Sequence, residues 1–360
     1  MKQWTVGFAG AVLFAIACSS SPETRGTPDD DVDGGSVKSD ADGSTVNPDT
    51  DGGQTQVPEE VSANCTDGKY KETLPNPSGD ISSLVSGYTA ANYKAFVGSV
   101  LDVRYPTGAF LVKNAPTSPN DCLNLFIPAQ VRGSASQVIS RMSTAVHECG
   151  HIYDMSLASG GNTTYQITPN LKFSCPGASY AGSNKTFARS RILGDEFQKL
   201  RPKCASQSSS GGCDGYAEVY LNGDPNNSTF ESGDQGFNMV LEEAVQYVNS
   251  LASGYAFENQ MQSGQQISER DGILTYLWYV ERYLHMARIT YPDQHQFLLS
   301  NACWRDAILT MWGRAWLYLN ATKGHQALGI EDAAIEELVK DPVLLDEIER
   351  VRVASGCAAQ

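Results

Sequence analysis

Apolar and polar positions along this 360-residue chain fall into three regimes. Val6 to Ala17 is a short apolar run, too short to span a membrane. Residues 19 to 63 hold almost no large apolar side chain, so that stretch cannot bury enough surface to fold. From Asn64 onward, periodic patterns begin. Tyr93, Phe96, Val97, Val100 and Leu101 recur at helical spacing and predict a helix within Tyr88 to Val103. Ala109 to Val112 and Cys122 to Pro128 are short apolar runs bounded by Pro, Asn and Gly, and read as strands. Val138, Ile139, Met142, Val146 and Ile152 predict one helix over 137–157, with Ser134 or Ser136 as its N-cap and Gly160-Gly161 as its stop. Gly161 to Ser183 reads as loop, Asn184 to Leu200 as a helix, and Cys204 to Gly236 as loop with a short strand at Tyr216 to Leu221. Five helices follow: Phe237 to Leu251, Gly272 to Ile289, Gln294 to Leu319, Ile330 to Val339, and Pro342 to Val353 with proline at its first position. No internal repeat is evident.

The helix over 137–157 carries the chemistry. His147-Glu148-Cys149-Gly150-His151 reads H-E-x-x-H, in a chain with only 5 histidines. Residues i and i+4 share a helix face, so both imidazoles can bind one Zn²⁺, and Glu148 can act as general base toward the zinc water. The competing reading is a helix that happens to carry two histidines. Cys149 points away from the histidine face and reads as a buried thiol or a disulfide partner.

Charge and cysteine usage place the chain outside the cytoplasm. Lys2 precedes the apolar run, and Ala15-Ile16-Ala17-Cys18 resembles a bacterial lipobox. That resemblance implies a signal peptide over 1–17, lipidation of Cys18 and an outer-membrane lipoprotein anchored in the membrane; plain secretion is the alternative. Residues 18–63 form an acidic tether with a net charge near −9 of the chain's −15. Nothing in the chain offers a basic face to nucleic acid. Asp29-x-Asp31-x-Asp33-Gly34 copies the opening of a calcium loop but lacks flanking helices, and the Asn222 to Gly236 loop is a second weak Ca²⁺ candidate. Residues 64–360 are one enzyme-sized unit with eight cysteines, an even number that suggests disulfides. Cys204–Cys213 and Cys303–Cys357 are the local guesses.

A catalytic zinc needs a third protein ligand and an open position for water. The metzincin extension fails, because Asp154 and Leu157 stand where its glycine and histidine belong. Glu242 and Glu243, on the later helix, are the best suppliers, with Asp195, Glu196 and His285 behind them. His147-Glu148-x-Gly150-His151-x-x-Asp154 followed by Glu242-x-x-x-Gln246 resembles the gluzincin metallopeptidases of the anthrax lethal factor-like kind. Gln246 and Val248 depart from that family, which has Glu and Phe there. The resemblance implies a zincin-like α+β fold: a small mixed N-terminal sheet lobe, the zinc helix and a predominantly helical C-terminal part. It also implies Glu242 as the third ligand and Asp154 as the acceptor that orients a histidine. Such peptidases lay the substrate along an edge strand before the zinc helix, which makes Cys122 to Pro128 the candidate rail, with an ordinary core strand as the other reading. Tyr216, Tyr220, Tyr247 and His285 are candidate oxyanion donors. The expectation is a zinc metallopeptidase with one Zn²⁺ per chain and a peptide or protein substrate. Two other classes stay open: a non-catalytic zinc-binding surface protein, and a zinc amidase acting on cell-wall material. The stripe Trp278, Tyr279, Tyr283, Trp304, Trp312, Trp316 and Tyr318 suits a carbohydrate platform or, at helical spacing, a core.

Overall fold

A computed structural model describes residues 64–118, 121–177, 192, 194–200, 216–217, 221, 236–261 and 264–357. Among these the chain is mostly helical, with one two-stranded sheet. Short helices α1 (Thr66–Lys69) and α2 (Ser82–Ser86) lead into α3 (Tyr93–Arg104), α4 (Pro106–Asn114), α5 (Cys122–Phe126), α6 (Ala135–Ile139) and α7 (Met142–Leu157). The hairpin β1 (Thr163–Thr168) and β2 (Leu171–Cys175) is antiparallel, pairing Thr163 with Cys175 and Tyr165 with Phe173. Then come α8 (Phe237–Phe257), α9 (Glu269–Thr290), α10 (Pro292–Ser300), α11 (Ala302–Ala321), α12 (Asp332–Val339) and α13 (Pro342–Ala354). No described helix is long and apolar enough to cross a membrane.

Helix α8 is the axis. It packs along α7 on one side and against α9 and α11 on others. All of it is buried except Asn238, Met239 and Tyr255. A helix hidden all round is expected to be apolar throughout. This one instead buries Glu242, Glu243, Gln246, Asn249, Ser250 and Ser253. Each buried polar group costs free energy unless it is hydrogen-bonded, so that stripe marks a site.

Several elements depart from the sequence reading. The run Ala109 to Val112 is helical, and so is the run Cys122 to Pro128 as far as Phe126. Pro106 starts α4, where its missing N–H costs nothing, and the Asp121 carboxylate caps α5 by accepting from Asn124 N–H at 3.1 Å. Neither run is a strand, so Cys122 to Pro128 is not a substrate rail. The strand beside the histidine helix is β1, which follows it. The helix expected over 137–157 is two. Ser134 caps α6 through Gln137 N–H, and the Ser140 hydroxyl donates to the Gln137 carbonyl at 2.8 Å, competing with the backbone where the chain breaks. Asn301 likewise divides the helix expected over 294–319, because its side chain caps α11. Of the helix expected at 184–200, a single 3-10 turn at Gln198–Leu200 is described; most of the strand expected at 216–221, the tether and Cys18 lie outside the described residues.

Among the described residues, three disulfides staple the elements: Cys65–Cys357, Cys122–Cys149 and Cys175–Cys303. Cys149 is thus a disulfide partner, tying α7 to α5 from inside the histidine motif. The Cys303–Cys357 pairing is corrected, since each finds a partner from the first half of the chain. Cys204 and Cys213 lie outside the described residues. The tryptophan and tyrosine stripe is core: all but Trp316 are buried.

Beside the Cys65–Cys357 bridge, Arg352 donates to Asp67 Oδ2 through Nε at 2.7 Å and through a terminal nitrogen at 2.5 Å. Both side chains are almost wholly buried, 2% and 0% exposed. Removing one partner would strand a buried charge. Arg352→Ala is therefore expected to lower the unfolding free energy of the disulfide-intact chain by about 3–5 kcal/mol, read from urea melts. A loss under about 1 kcal/mol would show that water replaces the arginine.

Candidate metal centre

His147 and His151 lie one above the other on α7, and Glu243 faces them from α8. The two Nε2 atoms are 2.8 Å apart, and each is 3.4 Å from Glu243 Oε2. His147 Nδ1 is 2.9 Å from Ser250 Oγ, and His151 Nδ1 is hydrogen-bonded to Glu242 Oε2. A carboxylate only accepts, so a proton sits on His151 Nδ1, and Nε2 is the nitrogen that faces His147 and Glu243. With His147 Nδ1 turned to Ser250, three potential ligand atoms, two imidazole nitrogens and a carboxylate oxygen, converge on one buried point. A cation satisfies that arrangement. The point equidistant in the plane of the three atoms lies about 1.9 Å from each. That spacing is of the order of zinc–ligand bonds, about 2.0–2.2 Å, so these three residues would fit a zinc ion. The buried His147, His151 and Glu243 group can thus hold a metal ion.

This assigns the carboxylates differently from the sequence reading. Neighbouring positions on a helix point about 100° apart. Glu243 takes the inner direction and closes the triangle, while Glu242 reaches round to the back of His151. Glu242 therefore orients a histidine, the part expected of Asp154. Asp154 itself accepts from Gln166 N–H at 3.0 Å and from Gln246 Nε2 at 3.0 Å. It touches no imidazole through a hydrogen bond.

Gln246 joins the two. Its amide nitrogen donates to Asp154 Oδ2 and to Glu242 Oε1, both at 3.0 Å, while its oxygen accepts from Asn249 Nδ2 at 2.8 Å. Asn249 Oδ1 accepts from Tyr105 OH at 2.8 Å, and the Tyr105 oxygen accepts from Arg314 at 3.1 Å. Arginine has no acceptor, so it forces Tyr105 to donate onward and fixes the direction of every bond in the series. The series runs from Arg314 through Tyr105, Asn249 and Gln246 to Glu242, and holds His151 with its Nε2 turned to the cluster. Gln246 suits this place where a glutamate would not, since a third carboxylate beside Asp154 and Glu242 has no proton to offer. Gly150 makes room for it: a Cβ there would stand 1.9 Å from Gln246 Oε1.

The electrostatics follow from the enclosure. Burial lowers the pKa of His151, but Glu242 and Glu243 outweigh it and hold the imidazole well above its ordinary range. Burial alone would raise Glu243; His151 and His147 bring it down to about 2. Burial raises Asp154 well above the usual carboxylate range, and the Glu242 charge adds to that. Burial also raises Glu148, with the histidines pulling the other way. Glu148 is 3% exposed, and its Oε1 has no hydrogen-bond partner among the described residues.

Of the other sequence candidates, Tyr247 lies edge-on to the His147 ring with centroids 4.8 Å apart, and Tyr216 packs on Tyr247. Tyr220 lies outside the described residues. His285 is elsewhere, bonded to Glu347 at 2.9 Å, and Asp195 pairs with Arg282 at 2.8 Å. Sequence reasoning missed Ser250 and Asn249. Their signal was available: Glu243 and Ser250, like Glu242 and Asn249, are seven residues apart on one helix. A cavity of about 440 Å³ lies away from the centre, lined by Lys94, Asp102, Lys113 and Asp121. No family model, no curated protein and no solved structure matches this chain.

Proposed function

We propose that this chain is an exported zinc-dependent hydrolase of peptide bonds, with His147, His151 and Glu243 as the metal ligands and Glu148 as general base. The observation that carries the reading is the convergence of three potential metal-ligand atoms beside a buried carboxylate with an oxygen to spare. Bound zinc would supply a Lewis acid that polarises the scissile carbonyl and makes a water molecule acidic near neutral pH. Glu148 would accept a proton from a water molecule whose oxygen attacks the carbonyl carbon. It then returns the proton to the leaving nitrogen as the C–N bond breaks. Glu242 and Ser250 hold the imidazoles in the orientation this requires. The histidine motif and Gly150 keep the likeness to the lethal factor-like gluzincins; moving the ligand role to Glu243 departs from it. Three disulfides support an oxidising compartment, in keeping with a lipid anchor on Cys18 in the outer membrane.

A second reading has its own support. His147, Glu148, His151 and Glu243 are 1%, 3%, 3% and 0% exposed, which suits a closed, non-catalytic metal centre. One experiment separates the two: metal content of the full chain by mass spectrometry, with cleavage of casein followed in parallel. One zinc per chain, with cleavage stopped by 1,10-phenanthroline and restored by zinc, is the expected result. Zinc without cleavage of casein or a peptide library would favour the closed centre. A chain that binds no zinc would sink both.

A further inference from the structure

A small polar cavity adjoins the candidate centre. Ser143, Thr144, Tyr216, Tyr247, Ser268 and Glu269 line it, with Ser250 and Ile267, and it offers about 20 Å³ to the centres of water-sized groups. That is room for one or two such groups. It shares two walls with the metal centre: Ser250, whose hydroxyl meets His147 Nδ1, and Tyr247, whose ring lies against His147. Ser143 and Thr144 sit one helical turn before His147 and Glu148, on the same faces of α7. The cavity therefore continues the surface that bears the metal ligands and the base.

Its contents are unusual for a core void. Hydroxyls, two aromatic rings and one carboxylate line it, with a single aliphatic side chain. Glu269 stands at the first turn of α9, hydrogen-bonded by Ser143 and its own backbone N–H. Its Oε2 is shut off from solvent and has no hydrogen-bond partner among the described residues. Gly272, one turn on, lets the Tyr247 ring close the cavity, since a Cβ there would stand 2.2 Å from the Tyr247 ring and 3.2 Å from Tyr216 OH. Burial pushes the Glu269 carboxyl up to about 8, which favours its neutral form; a cation beside it would restore the charged form. Carboxylate, hydroxyl acceptors and aromatic rings together suit an ammonium group.

We propose that this cavity receives a positively charged amine of the substrate, with Glu269 as its counter-ion. The amine is the α-ammonium of a peptide's first residue or the ε-ammonium of a lysine, and the inference rests on the hydrolase reading for the identity of the substrate. The cavity admits the ammonium and little more, so the rest of the peptide lies toward Glu148.

The test measures binding, so that it does not depend on turnover. The full chain carrying Glu148→Gln is titrated calorimetrically with three forms of the tripeptide Lys-Ala-Ala amide: acetylated at the α-amine, acetylated at the ε-amine, and acetylated at both. A charge-assisted hydrogen bond predicts that one singly acetylated form binds about 10- to 100-fold more tightly than the doubly acetylated one. Which form wins identifies the amine. Adding Glu269→Gln should bring the ratio to about one, while Glu269→Asp, which keeps the charge, should retain part of it. Equal affinity for all three peptides, no binding of any, or a ratio unchanged by Glu269→Gln would overturn the proposal and leave the cavity to water. Discrimination without cleavage by the unsubstituted chain would uphold the amine site and remove the hydrolase reading.

Discussion

Glu148→Gln is expected to remove 10²- to 10⁴-fold of the peptide-cleaving rate and to leave one metal ion per chain. The substitution keeps the shape of the side chain. It changes only whether the group can accept a proton, because an amide is no base at any working pH. Glu148 lies outside the three-atom cluster of His147, His151 and Glu243, so the affinity for metal has no reason to fall. The measurement pairs kcat/KM on a fluorogenic peptide with metal content of the same preparation. A loss of rate that tracks a loss of metal would mean that Glu148 supports the centre instead of acting in it. A variant that keeps both rate and metal would dismiss Glu148 as the base.

The contrast between Glu148 and its neighbours also shows how far the sequence could be read. The two histidines and the base are set by spacing on one helix, and spacing is a local property. The long helices of the C-terminal part are legible for the same reason: Pro342 and a sustained period of 3.6 leave few alternatives for α13. The choice between Glu242 and Glu243 is of another kind. It depends on the rotation of α8 about its own axis, which is fixed by packing against α7, α9 and α11. Half of that rotation could have been inferred from the polar stripe, since Gln246 and Asn249 line up with Glu242 while Ser250 lines up with Glu243. The disulfides were illegible because α11 and α13 do pack together, yet Cys303 and Cys357 bond to residues brought in from elsewhere. The runs at Ala109 to Val112 and Cys122 to Pro128 were too short for their period to decide between helix and strand. Caps and a disulfide decided instead.

Glu243→Ala and Glu242→Ala are expected to differ sharply in metal affinity, although the residues are adjacent. Removing Glu243 deletes one corner of the triangle, leaves two imidazoles, and should lower zinc affinity far more than any change outside the cluster. Removing Glu242 leaves all three ligand atoms in place. It frees His151 Nδ1 and unties one of the two bonds from the Gln246 amide, for which a 10- to 100-fold loss of affinity is expected. Competition with a fluorescent zinc chelator measures both, and circular dichroism melts separate loss of metal from loss of fold. If Glu242→Ala empties the centre while Glu243→Ala costs about tenfold, the ligand is Glu242, as the family likeness implied, and the geometry of α8 is misjudged. A further variant reaches deeper. Tyr105→Phe removes the hydroxyl that passes the direction of donation from Arg314 to Asn249, four side chains before His151. The Asn249 and Gln246 amides can then flip, and a Gln246 oxygen turned toward Asp154 and Glu242 would repel both. Tyr105→Phe should therefore weaken zinc binding in the same sense as Glu242→Ala, and combining the two should cost less than the sum of their separate effects, because both act through one series of hydrogen bonds.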